Sequence, residues 1–233
     1  MALGLVLLSV TVVGAALGGV TAAESQSSPV EISNWTDLDD IRNNPGADYI
    51  LVNDLNETTP GYDTVAGPNA NGGKGFDPID GFPDGFNGSF DGQGNSIANL
   101  TIDRSSENEV GLFEYTSGGA VIEEVILTGA TVTGSKDVGG LVGENRGTVI
   151  NSSASGDLNG TSGSVRVGGR VGRNAGTVSN SSASGAVGGL TRVGGVVGAN
   201  IGTVSTSSAR GNIADASTVV GLGGSNPGTT RDS

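Results

Sequence analysis

The sequence contains no cysteine and no histidine. Without cysteine there is neither a disulfide framework nor a thiolate nucleophile. Without histidine there is no imidazole base and no ordinary zinc site. Lysine occurs only at Lys74 and Lys136, and aromatic residues make up 4% of the chain. Positive charge is scarce: 11 basic side chains stand against 24 acidic ones, for a net charge of −13. That balance repels nucleic acid and anionic lipid and sets both aside as partners. Acid excess with so little lysine is also the habit of proteins made for concentrated salt, where a Debye length of about 3 Å at 1 M removes the self-repulsion. A halophilic source is the expectation.

Apolar runs are short, with one exception. Met1 to Ala23 is almost wholly apolar and ends in Val-Thr-Ala-Ala. It reads as a secretory signal peptide cleaved near Ala22 or Ala23, or as an uncleaved membrane anchor, since no Lys or Arg precedes it and its length approaches that of a spanning helix. On either reading the rest of the chain is secreted or displayed at the cell surface, and the N-terminal segment contacts the membrane.

What the sequence does have is repetition. Val138-Gly-Gly-Leu-Val-Gly-Glu-Asn-Arg-Gly-Thr-Val recurs as Val167-Gly-Gly-Arg-Val-Gly-Arg-Asn-Ala-Gly-Thr-Val and as Val193-Gly-Gly-Val-Val-Gly-Ala-Asn-Ile-Gly-Thr-Val. The tails recur too: Asn151-Ser-Ser-Ala-Ser-Gly, Asn180-Ser-Ser-Ala-Ser-Gly and Thr206-Ser-Ser-Ala-Arg-Gly. The units span about 138–160, 167–189 and 193–215, with a partial copy at 219–230. Self-similarity at such a period marks a solenoid. Short Val/Leu/Ile/Thr runs cut by Gly and Asn-x-Gly are strand and turn punctuation, and in a chain of 43 glycines the repeats are too glycine-rich to sustain helices. The reading is an all-β, right-handed parallel β-helix. Each coil is expected to hold three strands: Val-Gly-Gly-Leu-Val-Gly, then Gly-Thr-Val, then Ala154 to Leu158 and its counterparts. Stacked coils would bring Asn145, Asn174, Asn200 and Asn226 into one hydrogen-bonded column. Arg170 stands where other copies have Leu141, Val196 and Leu222. A buried unpaired charge is expensive, so the position is expected to face outward or to reach water at a corner; otherwise this coil is a degraded, locally weak copy.

Upstream, 24–31 is a polar linker and 32–85 an N-terminal cap of helix, strand and long loop. Asn34 or Thr36 would cap a helix running from Ile32 to Asn44, with Trp35, Leu38 and Ile41 as its apolar stripe. Pro45-Gly46 ends it. Tyr49 to Leu55 follows as a strand, Asn56 to Gly85 as an ordered loop, and the solenoid occupies 86–233. A helix beside a strand is a plausible cover for the first coil.

The Gly-Gly-Leu-Val-Gly-x-Asn-x-Gly-Thr-Val phrase with its Asn-Ser-Ser-Ala-Ser-Gly tail resembles the GLUG motif of bacterial and archaeal surface proteins. The upstream order is similar as well: Leu-x-x-Ile-Arg-Asn-Asn, Tyr-Ile-Leu-Val-Asn-Asp-Leu, Asp-Pro-Ile, Phe-Asn-Gly-Ser-Phe-Asp-Gly-Gln-Gly-Asn and Val-Gly-Leu-Phe. The resemblance implies a right-handed β-helix on large secreted or cell-surface proteins, often adhesin-like and sometimes beside a peptidase domain, with no catalytic residue or cofactor of its own. The chain departs from it at Arg170 and at Ser153, Ser182 and Ser208, where the family commonly has an aromatic residue. Losing that aromatic is expected to thin the packing between faces.

Carboxylates are the remaining catalytic candidates. Asp77, Asp80, Asp84 and Asp91 cluster in sequence and suggest an oxygen-ligand calcium site or a paired-acid glycosidase site, against the plain reading of solvated turn acids. Sequons at Asn34, Asn56, Asn87, Asn99, Asn151, Asn159 and Asn180 permit N-glycosylation. The functional expectation is a non-catalytic structural or adhesive module. Its alternatives are a carbohydrate-active or glycan-binding β-helix and a fragment of a larger surface protein. Surface glycans or other surface proteins are the expected partners, and the last coil, lacking a cap, offers strand edges for end-to-end association.

Overall fold

A computed structural model describes residues 28–81, 83–162, 165–214, 218–220 and 222–231. The proposed signal segment and residues 24–27 lie outside them. No helix among the described residues is long and apolar enough to cross a membrane.

The repeats wind into a parallel β-solenoid. In the second repeat the strands are Arg166–Gly168, Val171–Asn174, Thr177–Ser179 and Ser182–Gly188. Each pairs in parallel with its counterparts one coil away. Val167 lies between Val138 and Val193, Val171 between Val142 and Val197, Val178 between Val149 and Val204, and Ala183 between Ala154 and Ala209. Stacking yields sheets of eight, five, five and six strands.

A coil therefore has four strands instead of the expected three, because Val-Gly-Gly-Leu-Val-Gly is two strands with a corner between them. The glycines explain the break. A Cβ on Gly172 would lie 2.5 Å from the backbone nitrogen of Val138, and one on Gly198 would lie 2.6 Å from that of Val167. Strands flanking the corner thus pass so near the neighbouring coil's backbone that only hydrogen fits.

Inside, the buried side chains become smaller along the chain. Trp35, Phe76, Phe86, Phe90 and Phe113 are fully buried near the cap, with Phe113 ring centroids 4.8 Å from Phe86 and 5.5 Å from Phe90. Later coils fill the same space with Val138, Val142, Val149, Ala154 and Leu158 and their repeats, all in one continuous core. Each buried valine contributes on the order of 1.5–3 kcal/mol.

The cap is more strand-like at its start than the sequence suggests. Val30–Ile32 pairs in parallel with Tyr49–Leu51, so Ile32 is not helical and residues 30 and 31 are not linker. The helix is Trp35–Asp39, continued as a tighter 3₁₀ turn over Asp40–Asn43. Asn34 caps it, its Oδ1 accepting from the backbone N–H of Thr36 at 2.9 Å and of Asp37 at 3.0 Å. Trp35, Leu38 and Ile41 are buried in the core. Two further helical turns, Tyr62–Ala66 and Ala70–Gly73, interrupt the loop that follows. Bridges from Leu55 to Ile97, Ile79 to Phe113 and Phe86 to Thr116 fasten that loop to the coils.

Two positions correct the sequence reading. Ser153, Ser182 and Ser208 begin outward faces, with Ser153 partly exposed and the other two exposed, while Ala154 and Ala183 point inward. The missing aromatic therefore leaves the interior unchanged. Arg170 is fully buried instead of facing out. Its NH2 donates to the carbonyls of Ser152 and Ser182, while Nε and NH1 find no acceptor among the described residues. Burial pushes its pKa down to about 9, so it stays charged at neutral pH.

The asparagines stand in file. Asn145 Nδ2 donates to Asn174 Oδ1 at 2.7 Å, Asn174 to Asn200 at 2.8 Å, and Asn200 to Asn226 at 2.8 Å. At the head of the file, Thr116 Oγ1 donates to Asn145 Oδ1 at 2.8 Å. Each interior asparagine also donates to the carbonyl two residues ahead, at Gly147, Gly176 and Gly202. The column thus satisfies turn backbone that would otherwise be buried without partners.

Candidate functional site

The strands flanking the glycine corner bring charge together. On one side, the residue before the repeat valine is in turn Glu109, Asp137, Arg166 and Arg192, in register from coil to coil. On the other side the matching column is Tyr115, Glu144, Arg173 and Ala199. Carboxylate oxygens of Glu109, Asp137 and Glu144 lie within 4.8 Å of one another.

Guanidinium groups occupy two of the three. Arg166 clasps Asp137 through Nε and NH2. Glu144 Oε1 accepts from Arg173 NH1 at 2.5 Å and from Arg146 Nε at 3.0 Å. Arg146 in turn lies 4.9 Å from the Tyr115 ring centroid, a cation–π contact. Glu109 has no such clasp among the described residues. Burial, then the charges of Asp137 and Glu144, raise its pKa. Burial also raises Asp137, against the opposing pull of Arg166.

Beside this corner is a cavity of about 280 Å³ whose lining includes Asp80, Glu109, Glu114, Tyr115, Glu144 and Arg146. Glu114 is its most perturbed acid: burial first, then the charges of Asp80, Glu109, Glu107 and Asp77, push its pKa up to about 7. A carboxyl group protonated near neutrality is chemically able to give up a proton.

The raised pKa of Glu114 sets a pH dependence of stability. Its folded pKa, about 7, exceeds the ordinary value of 4.5, so the protonated carboxyl favours the folded state. That contribution is complete below the unfolded pKa and gone once the pH passes the folded one. After discounting for solvent screening at a partly exposed group, its size is about 1–2 kcal/mol. Wild type should lose that much relative to Glu114→Gln as pH rises through this window, measured by urea unfolding of both. A gap that stays constant with pH would refute the assignment.

The acids singled out in the sequence take different places. Asp77 Oδ1 lies 2.9 Å from Arg104 NH2 and its Oδ2 3.7 Å from Arg42 NH1, tying the loop to the cap. Asp80 lines the cavity, Asp84 is exposed, and Asp91 Oδ1 accepts from Gln93 N at 2.8 Å to close a turn. They form no common ligand set among the described residues. Glu109, Asp137 and Glu144 escaped the sequence reading, although aligning the residue before each repeat valine brings out the Glu109, Asp137, Arg166 and Arg192 column.

Comparison with known proteins places the repeat. Residues 134–159 match the family model described as the GLUG motif. Halomucin of Haloquadratum walsbyi is 36% identical over 137 residues, covering 57% of this chain and 1% of halomucin. A protein of Evansella cellulosilytica, named as a Gly-rich membrane protein, is 34% identical over 134 residues, covering 55% of this chain and 15% of its own length. The chain thus spans a small part of either relative. Among solved structures, a Bacteroides ovatus protein named as an immunoglobulin A1 protease superposes with a TM-score of 0.59 at 20% identity, over 88% of this chain and 73% of that one. At that identity the likeness concerns the fold. The GLUG motif at 134–159 and the recurrence of its wording through the following coils mark the repeat units of this parallel β-solenoid.

Proposed function

We propose that this chain is a non-catalytic structural or adhesive module of a secreted or cell-surface protein, with surface glycans or other surface proteins as partners. The observation that carries the reading is the state of its charged corner. Asp137 and Glu144, the buried acids there, are each held by arginine, and the chain has no His or Cys to work beside them. Outward positions on successive coils repeat hydroxyls and amides, as at Thr148, Thr177 and Thr203. A rigid face of this kind offers many weak polar contacts. The likeness to halomucin and to a protein named for the membrane supports an exported location.

A second reading, a glycan-binding or carbohydrate-active β-helix, rests on the cavity with Glu114 and Tyr115. Retaining glycosidases place two carboxyl groups about 5–5.5 Å apart with one held protonated, and Glu114 meets the second condition.

Surface fractionation of the producing cells, followed by glycan-array binding and reducing-sugar release from polysaccharides, separates the two. The module reading expects surface-fraction protein, no sugar release, and equal array binding by wild type and Glu114→Gln. Sugar release abolished by Glu114→Gln would replace it with the enzymatic reading.

A further inference from the structure

The seven sequons differ in what their amides are doing. Asn34 spends both ends of its carboxamide on the cap: Oδ1 accepts from two backbone N–H groups, and Nδ2 donates to Asp37 Oδ2 at 2.8 Å. Asn56 Oδ1 accepts from the backbone N–H of Thr58 at 2.9 Å and from its hydroxyl at 2.7 Å. Asn87 Oδ1 accepts from Ser117 Oγ at 2.6 Å. Asn99 Oδ1 sits against Gly129, where a Cβ would be 2.5 Å away. Asn151, Asn159 and Asn180 differ. All three are exposed, and no hydrogen bond engages their side chains among the described residues.

Their placement supplies the second line of argument. Asn151 (φ +50°) and Asn180 (φ +46°) occupy the same left-handed corner of adjacent coils, one step past the paired Ile150 and Ser179. Asparagine tolerates that conformation more readily than most residues. The same corner, however, holds Glu124 at φ +52° and Thr206 at φ +47° in the flanking coils. The corner does not require asparagine, and both asparagines that stand there complete a sequon, with Ser153 and Ser182 two places on. Asn159 projects from the outward side of the strand Ser153–Gly160, with Thr161 two places on.

We propose that Asn151, Asn159 and Asn180 are N-glycosylation sites of this solenoid and that Asn34 is not. This rests on the exported location proposed above. The donor is a polyprenyl-phosphate-linked oligosaccharide. Asparagine Nδ2 forms a bond to the sugar's anomeric carbon and loses one proton to the transferase, while the bond from that carbon to the phosphate oxygen breaks and the lipid phosphate leaves with the electron pair. Sugars on the corner column and on the adjacent outward sheet would coat two sides of the rod and leave the charged corner bare.

The test is intact mass and glycopeptide mapping of the protein isolated from the cells that make it. The expected result is glycopeptides containing Asn151, Asn159 and Asn180 and an unmodified peptide containing Asn34. Ser153→Ala, Thr161→Ala and Ser182→Ala should each remove one glycan while leaving the asparagine in place, which a purely conformational role for asparagine would not produce. Polypeptide mass alone in exported protein overturns this inference and leaves the module reading standing, as does glycan on Asn34. Protein found only inside the cell overturns both.

Discussion

Arg170→Leu should stabilise the protein by about 1–4 kcal/mol, the range seen when buried ionic groups give way to well-packed apolar residues. Wild type buries a full guanidinium with two of its nitrogens unpartnered and no carboxylate bonded to it among the described residues. Equivalent coils show that leucine fits, since Leu141 is fully buried at the matching place one coil earlier. The opposing loss is two hydrogen bonds from NH2 to carbonyls, on the order of 1 kcal/mol each, which is smaller than the desolvation of an uncompensated charge. Because the guanidinium keeps its proton below about pH 9, the gain should be constant through neutral pH. Urea unfolding with hydrogen exchange would measure it, the exchange showing slower opening of the amides around 166–188 in the variant. If Arg170→Leu is destabilised instead, the buried arginine has a partner that the fold does not reveal, and the weak-coil interpretation is wrong.

The same residue shows where the sequence was legible and where it was not. Repeat wording fixed the parallel stack, because identical phrases can bury their valines together only by lying in register. The asparagine file followed for the same reason: a residue recurring at one place in every coil must meet its own copies. Arg170 defied that logic. Its column was apolar in every other copy, and the energetic argument against burying charge pointed the wrong way. The corner inside Val-Gly-Gly-Leu-Val-Gly was hidden for a different reason. A Gly pair reads equally as strand or turn, and only the approach of the neighbouring backbone at Gly172 and Gly198 decides between them. The acidic corner was missed because Glu109 sits a full coil before Asp137 and Glu144, and the three acids converge from three strands in two sheets. Asp77, Asp80, Asp84 and Asp91 are close in sequence, yet they point into separate environments.

Within the asparagine file, position should decide the penalty for breaking it. Asn174→Ala is expected to cost about 2–4 kcal/mol, because it strips buried partners on both sides. Asn145 Nδ2 loses its acceptor at 2.7 Å, Asn200 Oδ1 loses its donor at 2.8 Å, and the Gly176 carbonyl loses a donor at 3.2 Å. Asn226→Ala, at an exposed position where the described file ends, should cost less than about 1 kcal/mol. Asn174→Asp separates hydrogen bonding from simple volume. It keeps an acceptor for Asn145 but turns the donor toward Asn200 Oδ1, Gly176 O and Thr203 O into a second acceptor, facing three others. Near neutral pH it should therefore be worse than alanine. On acidification the buried carboxyl gains a proton it can donate, and part of the loss should return, since a carboxylate with a raised folded pKa favours the folded state at low pH. Urea unfolding of the three variants from acid to neutral pH reads all of this. Equal costs at 174 and 226, or an aspartate variant indifferent to pH, would mean that the amides stack without holding the coils together.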